Sequence, residues 1–410
     1  MRVISEERLG AVLAGLPGRP RVVAGGNFAA PARALAVLEK ALAEYRLFML
    51  NAQEDLPDRE GVELETPFVG PGMRGRERLR YYPSRLSLVP NLLKGPLPPD
   101  VVIVQTSTPS GGTVSLGIEV NILPAAIEAV RERGGLVIAQ MNPRMPYTYG
   151  DSLLTLEEID YAIEADAPLA TPVPRSPGEI AREIGRRVAA LVPEHATLQL
   201  GIGAVPDAVL ASLLDRRGLG VWSEMFSDGV LALEKAGALD PSVPVTASFA
   251  FGSCELYDWA DRNERVRMLR TEKTNDPGLI ARKPRMVSVN SALQVDLFAQ
   301  ANASRVRGEV YSGFGGQTDF VVGALHSPGG QAIIALPSWH PRADVSTVIP
   351  RLAGPVTSFQ HSFIVSEQGT AAVWGHDSTS QAQQIVDEVA HPSVRDELRD
   401  AGRALGLRLR

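Results

Sequence analysis

Glu224 lies in the stretch VWSEMFSDGV (221–230), after apolar residues that read as a buried strand and ahead of VLALEKAGAL, which reads as a helix. A carboxylate on such a turn can cap the helix, pair with an arginine, or act as a chemical group. Ser227 or Asp228 is expected to cap the helix 229–236, which ends at Gly237. Capping therefore does not explain Glu224. Two glycine-rich turns flank this stretch in sequence. QLGIGAVPDAV (199–209) places Gly201 and Gly203 at a strand end, with Pro206 near a helix start. Glycines there let backbone N–H groups approach a ligand, and the helix N-terminus adds partial positive charge. Pro206 occupies the third glycine of a dinucleotide fingerprint, and no Gly-Lys-Ser/Thr follows, so neither nucleotide motif fits. A purely structural βα turn also explains it. SGFGGQTDF (312–320) carries Gly313, Gly315 and Gly316 ahead of Gln317. Consecutive amides of this kind form anion-binding concavities, the alternative being a tight turn before a strand DFVVGAL.

Other catalytic patterns fit poorly. The six histidines are scattered, no HExxH or GxSxG occurs, and the single cysteine, Cys254, has no histidine or basic neighbour to activate it. What remains is a carboxylate nucleophile among glycine-rich amides, an arrangement suited to acyl transfer.

These residues need elements to position them. A chain of 410 residues suits two domains, and 44% hydrophobic with 21% charged residues is ordinary for a globular protein. The net charge of −6 argues against nucleic-acid or anionic-membrane partners, and one cysteine excludes an internal disulfide. No apolar run reaches the roughly 20 residues of a membrane span, and the first residues carry charges unlike a signal peptide. A cytoplasmic protein is expected.

Apolar runs rich in Val and Ile, without polar alternation, recur at 21–25, 100–106, 135–141, 196–201, 244–251, 332–337 and 362–367. They predict strands covered on both faces, as in parallel sheets. Helical patterns at 31–45, 123–133, 177–191, 205–215 and 381–403 fall between them, the α/β signature. The Pro-rich stretch near 170–178, with Ser176 as N-cap and Pro177 at the first helical position, divides the chain into 1–172 and 173–410. VVAGGNFAAPARAL (22–35) and LQLGIGAVPDAVLASLL (198–214) both read as strand, glycine pair, proline and alanine-rich helix, a weak internal repeat.

QLGIGAVPDAV, SEMFSDGV, SVNSALQVDLFAQ (288–300), SGFGGQTDFVVGA and AHPSVRDEL (390–398), in this order, resemble the acetyl-CoA hydrolase/transferase family, in particular its 4-hydroxybutyrate CoA-transferase branch. TSTPSGGTVSLG (106–117) and QMNPRMPYTYG (140–150) extend the resemblance over essentially the whole chain. It implies an α/β fold of two related open domains of the CoA-transferase type, with mainly parallel central sheets and the nucleophile in the second. It also implies that Glu224 attacks an acyl-CoA thioester and forms a glutamyl-CoA thioester through a mixed anhydride. With an ordinary pKa near 4.3, such a glutamate is ionised at neutral pH and needs no base. Gln199, Leu200, Gly201, Ile202 and Gly203 would lie at a CoA-proximal turn, with Gly313, Gly315, Gly316 and Gln317 opposite. The implied partners are an acyl-CoA and a small carboxylic acid, with coenzyme A as substrate. No tightly bound cofactor and no metal are implied, and a homodimer or higher homo-oligomer is.

The match departs from the family pattern near the C-terminus. In IVSEQGTAAVWGHDSTSQAQQ (364–384), Asp377 stands at the family's lysine, Gln381 at its arginine and Gln368 at its tyrosine. A further family arginine is replaced in VTSFQHS (356–362), and Trp339 and His340 enter a stretch usually small and glycine-rich. The expected reaction is CoA transfer between an acyl-CoA and a small carboxylate. A hydrolase would use water instead, and a divergent homologue would bind without transferring or use another acyl carrier.

Overall fold

The Val- and Ile-rich runs do become strands buried on both faces. Val101–Thr106, for example, is buried at all six positions. The computed structural model describes the chain apart from residues 54, 55, 174, 175, 355 and 357–359. Part of the Pro-rich boundary and of the 356–362 stretch thus lies outside the described residues. Two compact units form: Met1–Pro172 with Pro244–Thr274 and Tyr311–Gly315, and Val173–Val243 with Asn275–Val310 and Gly316–Arg410.

Among the described residues, the central sheet of the first unit holds eight strands: β1 (Arg2–Val3), β2 (Arg21–Ala24), β3 (Tyr45–Met49), β4 (Val62–Thr66), β5 (Leu79–Tyr81), β6 (Val101–Thr106), β7 (Leu136–Met141) and β8 (Tyr161–Glu164). They make one sheet in the order β1-β8-β7-β6-β2-β3-β4-β5, every pairing parallel. Its helices include α1 (Glu6–Ala14), α2 (Ala32–Ala41) and α3 (Leu123–Glu132). The turn after β2 closes on a buried carboxylate: Glu119 accepts from the N–H groups of Gly26, Asn27 and Ala29.

The second unit is built on β9 (Thr197–Leu200), β10 (Gly220–Val221), β11 (Met286–Ser291), β12 (Gln331–Ala335), β13 (Phe363–Val365) and β14 (Thr370–Ala372), in the order β10-β9-β11-β12-β13-β14. All pairings are parallel except β13 with β14. Its helices include α4 (Glu179–Leu191), α5 (Ala204–Ala211), α6 (Asp228–Lys235), α7 (Pro277–Ala281), α8 (Gln317–His326) and α9 (Ser378–Gln384). The fold is therefore α/β with mainly parallel central sheets, and in each unit a strand runs through glycines into a helix: β2 into α2, β9 into α5. Among the described residues no helix is long and apolar enough to cross a membrane.

Several local expectations need correction. Helix α4 begins two residues later than Ser176–Pro177 predicts, with extended Gly178 as its N-cap and no side-chain cap. The pattern 31–45 breaks at Ala41, because Tyr45, Leu47 and Phe48 prefer a strand. The pattern 381–403 is not one helix; a wide turn at Ile385–Val389 and Pro392, which disfavours helix at the residue before it, separate α9 from a helix at Arg395–Ala404. DFVVGAL is helical, part of α8, rather than a strand.

Candidate active site

Glu224 lies between β10 and a short strand Met225–Phe226, and local hydrogen bonds fix its turn. Trp222 N–H donates to Leu198 O at 3.1 Å. Ser223 Oγ donates to Leu200 O at 3.1 Å and accepts from Met225 N–H at 3.4 Å, which ties the turn to the end of β9. Trp222 packs on the buried cluster Ile280, Met286, Phe320 and Ala324, with the Lys283 ammonium 3.6 Å from its ring centre. Burial pulls the Lys283 pKa down. Phe320 belongs to α8 and Ile280 to α7, so the Glu224 turn and these two helices share one core.

The carboxyl itself meets amides. Fully buried Asn275, one residue ahead of the Asp276 N-cap of α7, donates from Nδ2 to Glu224 Oε2 at 3.4 Å. Gly316, the N-cap of α8, contributes its backbone N–H. The approach is close: a Cβ on Gly316 would stand 2.0 Å from Glu224 Oε2 and 2.4 Å from Asn275 Nδ2. Glu224 as a whole residue is half-buried, yet its carboxyl is the enclosed end. Desolvation pushes its pKa up to about 7, the like charge of Asp319 adds to this, and the Asn275 and Gly316 donors oppose it. The expectation of a glutamate already ionised at neutral pH is thereby corrected. Near pH 7 the site holds both forms.

Asp319 is fully buried in the first turn of α8. Gln317, the first residue of that helix, has its side-chain Nε2 shut off from solvent with no acceptor in the described protein. An unmet buried donor costs about 1–3 kcal/mol, so such groups tend to be functional or to await a partner.

The remaining predicted residues divide. Gln199 is buried, and its Oε1 accepts from Ser288 Oγ at 2.9 Å and Asn290 Nδ2 at 3.2 Å, in a polar network across β9 and β11. Leu200 is buried beside Ser223. Gly201 is half-buried, Ile202 is exposed, and Gly203 caps α5 at φ +121°, a conformation that only glycine adopts readily. Gly313 and Gly315 have packing reasons of their own in the first unit: added Cβ atoms would meet Pro67 O at 2.6 Å and Phe68 Cε2 at 3.1 Å. Gly316 is the member of that loop that meets Glu224, and Gln317 follows it as the first residue of α8. Ser227 stands at the N-cap of α6 but its side chain makes no capping bond, so the predicted capping role falls. Cys254 is exposed on a helix of the first unit.

Asn275 was not predicted. In TNDPG, Asp276 and Pro277 already read as a helix start, and Asp276 Oδ1 does accept from Leu279 N–H at 2.7 Å. The asparagine ahead of them looks like an ordinary turn residue; only the folded chain brings it 51 positions back to Glu224.

Comparison with known proteins gives the class and then the family. The fold is that of CoA-transferases: a solved 4-hydroxybutyrate CoA-transferase from Porphyromonas gingivalis matches with a TM-score of 0.81 and 29% identity, over 98% of each chain. RipA from Yersinia pestis matches with a TM-score of 0.92 and 28% identity, over 99% of this chain and 98% of that one. In sequence, the 4-hydroxybutyrate coenzyme A transferase of Clostridium kluyveri is 38% identical over 333 residues, 78% of this chain and 76% of that protein. Residues 70–174 match the acetyl-CoA hydrolase/transferase N-terminal domain, and residues 252–402 its C-terminal domain. The chain belongs to the acetyl-CoA hydrolase/transferase family.

Proposed function

We propose that this chain is a CoA-transferase in which Glu224 carries CoA between an acyl-CoA and a small carboxylate such as acetate or 4-hydroxybutyrate. The observation that carries this reading is the Glu224 carboxyl held between the Asn275 amide and the Gly316 N–H, with a pKa near 7. A Glu224 oxygen forms a bond to the acyl carbon of the thioester; the C–S bond breaks and its electron pair leaves with sulfur as CoA thiolate. The thiolate then attacks the Glu224 carbonyl of the resulting anhydride, releasing the acyl group as a carboxylate and leaving glutamyl-CoA. An acceptor carboxylate runs the two steps in reverse: its oxygen attacks the Glu224 carbonyl and expels CoA thiolate, and the thiolate then attacks the acceptor's acyl carbon, releasing the Glu224 carboxylate and giving the new acyl-CoA. Whenever the Glu224 carbon is tetrahedral its oxygen bears negative charge, and the Asn275 and Gly316 donors are placed to stabilise it. Their aim at Oε2 supports this assignment.

Incubation with an acyl-CoA, followed by borohydride or hydroxylamine trapping and peptide mapping, is expected to mark the Glu224 peptide. Glu224→Gln is expected to abolish marking and transfer. Unmarked Glu224 with every acyl-CoA tried, or turnover retained in the variant, would refute the covalent route. Dependence of CoA exchange on added acetate separates transfer from hydrolysis, which needs only water.

A further inference from the structure

We propose that Gln317 is a further catalytic residue, whose side-chain Nε2 donates to the oxygen of the substrate's acyl carbon. The inference rests on the Glu224 reading. That route passes through two different tetrahedral carbons. One is the Glu224 carbon, and the Asn275 Nδ2 and Gly316 N–H already serve its oxygen. The other is the acyl carbon of the substrate, whose oxygen becomes negative when a Glu224 oxygen adds to it and again when the acceptor anhydride collapses. The Gly316 N–H is a single donor and is taken by Oε2, and one hydrogen of Asn275 Nδ2 is taken there too. A further donor at the acyl oxygen would complete the site, and a neutral one suits a site already holding the Glu224 and Asp319 carboxyls.

Gln317 meets this need. It follows Gly316 directly and opens α8, in the same turn as Asp319. Its Nε2 is buried and finds no acceptor among the described residues. A primary amide nitrogen carries two hydrogens for donation, and buried donors are otherwise almost always paired. A ligand oxygen is the partner that would complete it.

The half-reactions of the full-length protein distinguish this role from a structural one. Enzyme-CoA thioester is formed with an acyl-CoA, freed of small molecules, and then treated with either acetate or hydroxylamine. Acetate must form the anhydride and pass through both tetrahedral carbons. Hydroxylamine attacks the Glu224 carbonyl alone, giving the hydroxamate and CoA thiol, so it needs no donor at an acyl carbon. In Gln317→Met and Gln317→Leu the acetate reaction is expected to slow by about 100-fold, the ordinary effect of losing one oxyanion donor. The hydroxylamine reaction should stay within about twofold of the unmodified protein. The thermal midpoint should hold or rise, because the substitution removes an unpaired buried donor. An unchanged acetate rate, or equal slowing of both reactions, would overturn the assignment. If the unmodified protein forms no enzyme-CoA thioester, the Glu224 route itself fails, and Gln317's role with it. A thioester that forms normally while the variants transfer normally sinks the Gln317 assignment alone.

Discussion

A carboxyl held out of water binds its proton more tightly, and for Glu224 this raises the pKa from the ordinary carboxylate range to about 7. Only the carboxylate form attacks a thioester. The first half-reaction is therefore expected to fall by about tenfold for each pH step below 7 and to level off above it. Asp319 is the charge that acts on Glu224 through space, while Asn275 and the Gly316 amide act as donors. The charge of Asp228 on α6 adds to the burial that raises the pKa of Asp207 on α5. In Asp319→Asn the like charge disappears, so the acid limb of kcat/KM for acyl-CoA should move to lower pH. A limb that stays in place while the rate drops would reduce Asp319 to a structural part of α8. Gly316 permits a second test at the same carboxyl. Its φ of −93° suits any residue, so alanine brings no backbone strain there. Its methyl, however, would stand 2.0 Å from Glu224 Oε2. Gly316→Ala is expected to displace the carboxyl by about 1 Å, lower transfer by about 100-fold and lower the thermal midpoint, since overpacking of this kind costs about 1–3 kcal/mol. Transfer and calorimetry on one preparation check both halves of that statement.

The elements behind these residues are held by close helix contacts. Gly185 in α4 lies against Ala208 of α5, where an added Cβ would come within 2.6 Å of the Ala208 carbonyl carbon and oxygen and 2.9 Å of its methyl. Gly185→Ala should push α5 from its seat and cost about 1–3 kcal/mol, read as an earlier urea midpoint. An unchanged midpoint would mean the helices separate at no expense. The same elements indicate how far the sequence could be read. Strands such as β6 and β7 were legible because unbroken Val and Ile runs have one good solution, burial on both faces. The βα turn at Gly201–Gly203 and the strand-turn-helix around Glu224 were legible from glycine placement. By contrast, α8 hides because Phe320, Val321 and Val322 favour strands in isolation, and packing against Ile280 and Met286 overrides that preference. Strands β3 and β4 were missed because they follow a helix pattern or mix in glutamates, Glu63 and Glu65. Asn275 was illegible for a different reason. Its partner is 51 residues away, and no local pattern records a contact of that range.

At the scale of the whole molecule the question is how a chain of net charge −6 meets coenzyme A, a polyanion. Asp377 and Gln381 stand where the resemblance implies cations, and both have local work. Asp377 caps α9, accepting from Thr379 N–H at 3.0 Å and Ser380 N–H at 3.2 Å. Gln381 Nε2 donates to Val373 O at 2.8 Å and His376 O at 2.9 Å. Both groups therefore secure the backbone of their own segment. Neither is a cation, so on the proposed function the long-range term between protein and CoA is repulsive, and salt screens it over a Debye length of about 10 Å at 0.1 M. Raising ionic strength should accordingly leave kcat/KM for acyl-CoA flat or increase it. An acyl-pantetheine, which lacks the phosphates, should be used with a kcat/KM within about tenfold of the CoA thioester, since neither Asp377 nor Gln381 offers a positive charge to a phosphate. The comparison needs only two substrates over a salt series. A steep fall with salt, joined to strong preference for the phosphorylated carrier, would place a cationic anchor elsewhere on the chain and give Asp377 and Gln381 no part in carrier choice.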